Sequence, residues 1–212
     1  MQIDPPDADV ARLFDACELI VFKSVRLAHF AALSALPIHD KALWKKLKSR
    51  DALAPIKVLD KHPLRVWTDS HKQAAAIQTM IRETEDDVRR RVRRWFPAKT
   101  LYAEMHSWRF TVTKDEPLHF DVYAERVTSP VIRVFVNLDT EPRLWDVGTV
   151  ARGPDAGTYD PVYKARIDRE PSERIAFDPG DVWIVDSRRV AHAIIHGRRA
   201  AMFSFETEPQ PS

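Results

Sequence analysis

The segment Leu118-His119-Phe120-Asp121 places a histidine and an aspartate two residues apart inside a short apolar stretch. Residues i and i+2 of a β-strand point to the same face of a sheet. The imidazole of His119 and the carboxylate of Asp121 can therefore bind one metal ion together, with Phe120 on the opposite face. An HxD tripeptide alone is a weak sign of a metal site, so a third ligand has to be sought elsewhere in the chain.

A candidate third ligand lies in a second, distant motif. The run PGDVWIVDSRRVAH from Pro179 to His192 is typical of a turn, a buried strand and a short loop, and His192 begins the next strand. Two imidazoles and one carboxylate on one face of an ion leave positions open for a bidentate co-substrate and dioxygen, as in non-haem Fe(II) oxygenases. His196 competes with His192 for this role, but its position beside Gly197 predicts that it is exposed at a turn.

Three arginines are candidates for holding the far carboxylate of a 2-oxo acid. We expect the strand of His192 to turn at Gly197, so that an arginine just past the turn reaches back beside the metal as a bidentate partner. Arg199 is the first choice because it starts the final strand, and Arg198 is the second. Arg133, on the strand after the HxD pair, could clamp either the co-substrate or an anionic substrate.

The hydrophobic pattern divides the chain near Pro97. Apolar residues at helical spacing predict a helix from Asp69 to Trp95, and a shorter helix is predicted from Asp7 to Cys17, while Leu19 to Phe22 fits a strand or a continued helix. Beyond Pro97, segments rich in β-branched and aromatic residues predict seven short strands. They are residues 100–105, 108–113, 118–123, 131–138, 182–185, 192–195 and 201–205.

These elements predict a mainly β protein with N-terminal helices (α+β), built on a jelly-roll or cupin-like double-stranded β-helix. We expect one domain over residues 1–212, with a mainly helical part at 1–97 and the catalytic core at 98–207. The polar stretch from Ala151 to Pro171 is predicted to be a long surface loop.

Composition excludes some classes of function. The 33 basic and 31 acidic residues give a net charge of +2, which provides no overall attraction to nucleic acid. The run Arg89 to Arg94 follows acidic residues on the same helix, as the helix dipole favours. The single Cys17 and the lack of a signal sequence or a long apolar run predict a cytoplasmic protein with no membrane span. The pattern leaves open whether the chain forms a homodimer.

The second half of the chain resembles the Fe(II)/2-oxoglutarate-dependent dioxygenases. The resemblance rests on the HxD pair and the distal histidine, and four segments are similar to the 3-deoxy-manno-octulosonic acid (Kdo) hydroxylases: residues 107–109, 118–121, 133–137 and 142–148. It implies that His119, Asp121 and His192 bind Fe(II), and that the enzyme uses 2-oxoglutarate as co-substrate together with O2. It further implies hydroxylation of an unactivated C–H bond of a small polar or anionic substrate, with release of succinate.

Four residues are candidates for contacting that substrate. Tyr102, Trp108 and Arg109 lie on strands upstream of the ligands, and Tyr123 continues the face of His119 and Asp121 by parity. Two alternatives stay open: a cupin-like iron enzyme that uses no 2-oxo acid, and a non-enzymatic β-barrel binding module. The direction of Arg198, Arg199 and Arg133 distinguishes the 2-oxoglutarate enzyme from the cupin-like one: if none of them points at the metal cavity, 2-oxoglutarate loses its anchor.

Overall fold

The computed structural model describes residues 1–39, 53–121, 131–151 and 171–207. Within them the chain forms three α-helices and eight β-strands, together with 3-10 helices at Leu59–Lys61 and Pro63–Val66. The helices are α1 (Asp7–Asp15), α2 (Phe30–Ser34) and α3 (His71–Trp95). The strands are β1 (Gln2–Ile3), β2 (Ile20–Phe22), β3 (Leu101–Lys114), β4 (Val131–Asn137), β5 (Arg143–Ala151), β6 (Ser172–Phe177), β7 (Val182–Val185) and β8 (Val190–Thr207).

Helix α3 confirms the long helix that the apolar spacing predicts. The Ser70 hydroxyl caps its first turn by accepting a hydrogen bond from the Gln73 amide at 3.4 Å. One face of the helix is buried against the sheet, and the helix ends before Pro97, which cannot continue it. The buried side chains of that face include Ile77, Ile81, Val88, Val92 and Trp95.

Strand β8 organises the sheet. Its C-terminal half lies between β3 and β4, and its N-terminal half pairs with β5. The strand order is β1-β2-β7-β4-β8-β5-β6, with β3 also paired to β8. Because β8 joins β3 and β4 to β5, the sheet curls into a half-barrel. This architecture confirms the predicted mainly β fold with N-terminal helices.

Several predicted strand boundaries are wrong. The expected turn at Gly197 does not form, because residues 190–207 are one continuous strand. The two strands predicted between residues 100 and 113 are also a single strand. Of residues 118–121, His119 forms an isolated bridge with His192, and the end of the strand predicted over 118–123 lies outside the described residues. Strands β5 and β6 were not predicted, because charged residues interrupt both. Most of the predicted 151–171 loop lies outside the described residues.

Two apolar clusters stabilise the curl. The larger cluster lies between the helices and the outer face of the sheet, where Val134, Phe203 and Phe205 pack against α3 and its neighbours. The smaller one lies on the other face and contains Trp145 and Trp183. None of the helices in the described part of the chain is long and apolar enough to cross a membrane.

Replacing Ile81 by alanine tests the contact between α3 and the sheet. Ile81 is completely buried in the larger cluster, so we expect the free energy of unfolding to fall by about 2–5 kcal/mol. Urea denaturation followed by circular dichroism measures the change. Arg82→Ala, at the neighbouring exposed position, is the matched control and should change stability by less than about 0.5 kcal/mol. Equal losses in both variants would contradict this packing.

Candidate metal centre and its cleft

A pair of backbone hydrogen bonds brings the two histidines together. The His119 amide donates to the His192 carbonyl at 3.0 Å, and the His192 amide donates to the His119 carbonyl at 2.9 Å. The two imidazole rings consequently lie 4.6 Å apart between centroids. The Asp121 amide donates to the Ser187 carbonyl at 2.9 Å, which fixes the third residue beside them.

The side chains of His119, Asp121 and His192 offer three ligand atoms that lie within 4.8 Å of one another. The Nε2 atom of His192 is 3.6 Å from Oδ2 of Asp121, and Nε2 of His119 is 4.0 Å from Oδ1. Ligands that share an ion each lie about 2 Å from it and therefore at most about 4 Å apart, and these two separations fall within that limit. His196 is not part of this group of described residues.

Backbone carbonyls orient both imidazoles. The Nδ1 atom of His119 donates to the carbonyl of Pro117 at 2.8 Å, and Nδ1 of His192 donates to the carbonyl of Val190 at 3.2 Å. Each ring therefore carries its proton on Nδ1 and presents the lone pair of Nε2 toward Asp121. Such partners fix the tautomer and the orientation of metal-binding histidines.

The charge states of the group suit a divalent cation. Burial lowers the pKa of His192 to about 4, and the positive charge of a protonated His119 acts in the same direction. Burial alone would raise the pKa of Asp121, but His192 and Arg133 outweigh it and hold the pKa below its ordinary value. At neutral pH, His192 is neutral and Asp121 is ionised, the forms in which these residues bind metals.

The three residues line a cleft of about 530 Å³ that opens to solvent. One wall is aromatic: the Trp145 ring stacks on the His192 ring at a centroid distance of 5.2 Å, and Phe135 contacts Trp145 at 4.8 Å. The other walls carry the three arginines Arg109, Arg133 and Arg143. The cleft therefore combines a candidate metal centre with guanidinium groups, which recognise anions.

Arg143 is the most unusual residue of the cleft. Its side chain is 2% exposed, and its Nε and Nη1 atoms have no hydrogen-bond partner among the described residues. Burial lowers the pKa of Arg143 to about 9, and the nearby positive charge of Arg109 acts in the same direction. A Cβ atom at Gly197 would lie 2.8 Å from Cζ of Arg143, so only glycine lets the guanidinium rest against β8.

The structure places Arg199 and Arg198 outside the residues that line the cleft. The residues of β8 that line the cleft include residues 200–202 but not Arg199, whose Nε donates to the Leu36 carbonyl at 2.9 Å. Arg198 forms two hydrogen bonds of 2.9 Å with Asp139. Both arginines bind the turn after β4, because β8 continues through Gly197 and does not fold back.

The remaining candidates are distributed over different environments. Arg109 lines the cleft, and its Nη1 lies 3.6 Å from a carboxylate oxygen of Glu116. Trp108 is buried on the opposite face of β3 and donates its indole N–H to Glu85 at 3.1 Å. Tyr102 lies on β3, and Tyr123 lies outside the described residues.

Strand parity could have placed Arg143 in the cleft together with Trp145; Arg143 was not among the site residues proposed from the sequence. The two are separated by one residue on β5 and both line the cleft. The segment 142–148 belongs to the stretches on which the resemblance rests. Because β5 was not predicted as a strand, the shared face of these two side chains was not recognised.

Solved structures provide the comparison with known proteins. The Kdo hydroxylase KdoO, solved with α-ketoglutarate (2-oxoglutarate) and Fe(III), superimposes with a TM-score of 0.63 at 14% identity, over 98% of this chain and 90% of that chain. Its cobalt(II) complex gives the same score and identity, over 96% and 85%. The α-ketoglutarate-dependent epimerase SnoN from nogalamycin biosynthesis gives 0.50 at 13%, over 96% and 84%.

The chain has the fold of the Fe(II)/2-oxoglutarate-dependent dioxygenases. At these identities the likeness concerns the fold alone, which confirms the predicted double-stranded β-helix. No protein-family profile and no curated protein matches the sequence.

Removing Asp121 tests the metal centre. We expect Asp121→Ala to lose at least about a hundredfold in Co(II) affinity, because the ion loses its anionic ligand and faces Arg133. Anaerobic titration followed by the visible absorption of Co(II) measures the loss. His196→Ala is the matched control, since His196 lies on the same strand as His192 but outside the group. Unchanged binding in Asp121→Ala, or a comparable loss in His196→Ala, would contradict this assignment.

Proposed function

We propose that the protein is an Fe(II)/2-oxoglutarate-dependent dioxygenase that hydroxylates a C–H bond of a small polar or anionic substrate. The observation that supports this proposal best is the buried Arg143, which lies in the same cleft as His119, Asp121 and His192. The shared fold with KdoO supports the same class. The small-molecule substrate, the cytoplasmic location, the domain division and the oligomeric state stay predictions from the sequence.

The residues fit an iron centre. His119, Asp121 and His192 provide two imidazole nitrogens and one carboxylate, the ligand set of non-haem Fe(II) oxygenases. When bound there, Fe(II) would supply the activation of dioxygen that is coupled to the oxidative decarboxylation of 2-oxoglutarate. The protein itself orients the ligands through the Pro117 and Val190 carbonyls and provides a partly enclosed cleft.

Among the described residues, Arg143 has no hydrogen-bond acceptor for Nε and Nη1, and only the charges of Glu116 and Asp139 favour its charged form. An isolated buried charge costs several kcal/mol, and a guanidinium group cannot lose its proton to avoid the cost. A carboxylate bound in the cleft would provide the missing acceptors for Nε and Nη1 and could form a bidentate pair. A carboxylate ligand bound in the active protein would therefore offset the free-energy cost of burying Arg143.

The position of Arg143 suits a ligand that reaches from the metal centre. Arg143 lies two residues before Trp145 on β5, a distance of about 6–7 Å along a strand, and Trp145 stacks on His192. A 2-oxo acid with a second carboxylate at its far end has the groups needed at both places. Arg143 thus takes the anchoring role that the sequence suggested for Arg199 or Arg198.

The two alternatives account less well for this cleft. A cupin-like enzyme that uses no 2-oxo acid gives Arg143 no carboxylate to bind. A binding module without metal leaves unexplained why both imidazoles are held with Nε2 toward Asp121. The direct test is anaerobic addition of Fe(II) and then 2-oxoglutarate, with detection of the weak visible charge-transfer band of the chelate. Absence of the band would overturn the proposal, and iron binding without it would favour the cupin-like enzyme.

Replacing Arg143 by methionine tests the anchor. We expect the dissociation constant for 2-oxoglutarate, measured in the presence of Fe(II) without oxygen, to rise about tenfold to a hundredfold, because one charge-assisted pair is lost. Iron affinity should change little. Arg199→Met, which removes an arginine outside the cleft, should bind 2-oxoglutarate normally. The ligand-free Arg143→Met protein should be at least as stable to heat as the wild type, whereas a structural role for Arg143 would lower its melting temperature.

Replacing Gly197 by alanine tests the same anchor without removing the charge. The added Cβ would overlap the guanidinium of Arg143, so we expect weaker 2-oxoglutarate binding by about tenfold as the arginine is displaced. Isothermal titration with the metal-loaded protein measures the affinity. The double variant Gly197→Ala/Arg143→Met should bind no more weakly than Arg143→Met alone, because both changes act on one contact. Additive losses would contradict the coupling.

A further inference from the structure

Arg133 contacts the only carboxylate of the candidate metal centre. It lies on β4 with a side chain that is 8% exposed, and its Nη1 atom forms an ion pair with Oδ2 of Asp121. Oδ2 also lies 3.6 Å from Nε2 of His192, whereas the other oxygen, Oδ1, lies 4.0 Å from Nε2 of His119. The two oxygens of Asp121 therefore have different surroundings before any metal binds.

A second buried acid lies near Arg133. Asp186 is 1% exposed and follows Val185, the residue that pairs with Arg133 across β4 and β7. Its Oδ1 accepts a hydrogen bond from the Arg188 amide at 3.2 Å, and its negative charge stabilises the charged form of Arg133. Arg133 is thus held by rigid strands and by acids from two separate segments, which gives its guanidinium little freedom to move.

We propose that Arg133 is a positioning residue that engages Oδ2 of Asp121, so that this carboxylate binds the metal through its other oxygen alone. The inference rests on the proposed metal centre and replaces the sequence-based role of Arg133 as a clamp for the co-substrate or substrate. A carboxylate can bind a cation through one oxygen or through two. Two-oxygen binding would use a coordination position that a bidentate co-substrate and dioxygen need.

The same contact lowers the affinity for metal. A guanidinium beside the ligand repels a divalent cation and competes with it for the carboxylate. If Arg133 acts as proposed, the protein gives up metal affinity to keep coordination positions open. A residue that merely supported the fold would have the opposite effect, because its loss would loosen the site and weaken metal binding.

The test compares Co(II) binding to the wild type and to Arg133→Met. We expect the variant to bind Co(II) about tenfold more tightly, and its visible bands to weaken as the coordination number rises. Binding of 2-oxoglutarate to the Co(II)-loaded variant should weaken about tenfold as the free position is lost. Arg133→Gln, which keeps a hydrogen-bond donor near Asp186 but removes the charge, provides the same comparison if the methionine variant does not fold.

The outcomes separate this inference from the proposed function. Arg174→Met is the matched control: Arg174 is an exposed arginine that forms two hydrogen bonds with Asp146, at 2.8 and 2.9 Å, and its loss should leave Co(II) binding and spectrum unchanged. Failure of the wild type to bind Co(II) would overturn the metal centre itself. If the wild type binds and the Arg133 variants bind equally or more weakly with an unchanged spectrum, the metal centre stands and the role of Arg133 is overturned.

Discussion

The two backbone hydrogen bonds between His119 and His192 set the geometry of the candidate metal centre, because they join residues 73 positions apart in the chain. They depend in turn on β8, whose first half carries His192 and whose second half is held by β3 and β4. Ligands placed on such a paired framework lose little further entropy when an ion binds. Strand β8 therefore positions the site and also joins the two groups of strands in the sheet.

The charged side chains around this framework differ in whether they have a partner of opposite charge. Asp121 has Arg133 as a direct partner, and Asp139 has both Arg198 and Arg199. Arg143, by contrast, is buried with two nitrogens that no described residue satisfies. Buried polar groups in proteins are hydrogen-bonded in nearly all cases, and a bound ion or ligand is one explanation for an exception. The cleft thus retains an unfavourable charge in the free protein that a carboxylate ligand would compensate.

The sequence allowed the fold class and the three candidate ligands to be predicted because their signals are local. An HxD pair shares one face of any extended segment, and His192 follows a clear turn–strand–loop pattern. The sequence did not reveal that Arg143 lines the cleft and that Arg198 and Arg199 do not, because these positions depend on a long-range feature. Gly197 was taken for a turn, whereas it provides room for the side chain of Arg143 from the neighbouring strand. A local pattern cannot distinguish a glycine that bends its own chain from one that accommodates another residue.

The arginines of the cleft illustrate why residue type alone does not assign a role. Arg133 and Arg143 are both buried and both line the same space, yet among the described residues only Arg133 forms an ion pair with a carboxylate that the structure shows. A guanidinium already engaged by Asp121 gains less from a second anion than one without a partner, because part of its charge is neutralised. This difference supports the two proposed roles, with Arg143 as the anion site and Arg133 acting on the ligand beside it. The difference follows from one neighbouring carboxylate, which the Asp121–Ser187 hydrogen bond and the His119–His192 bridge place there and sequence spacing does not reveal.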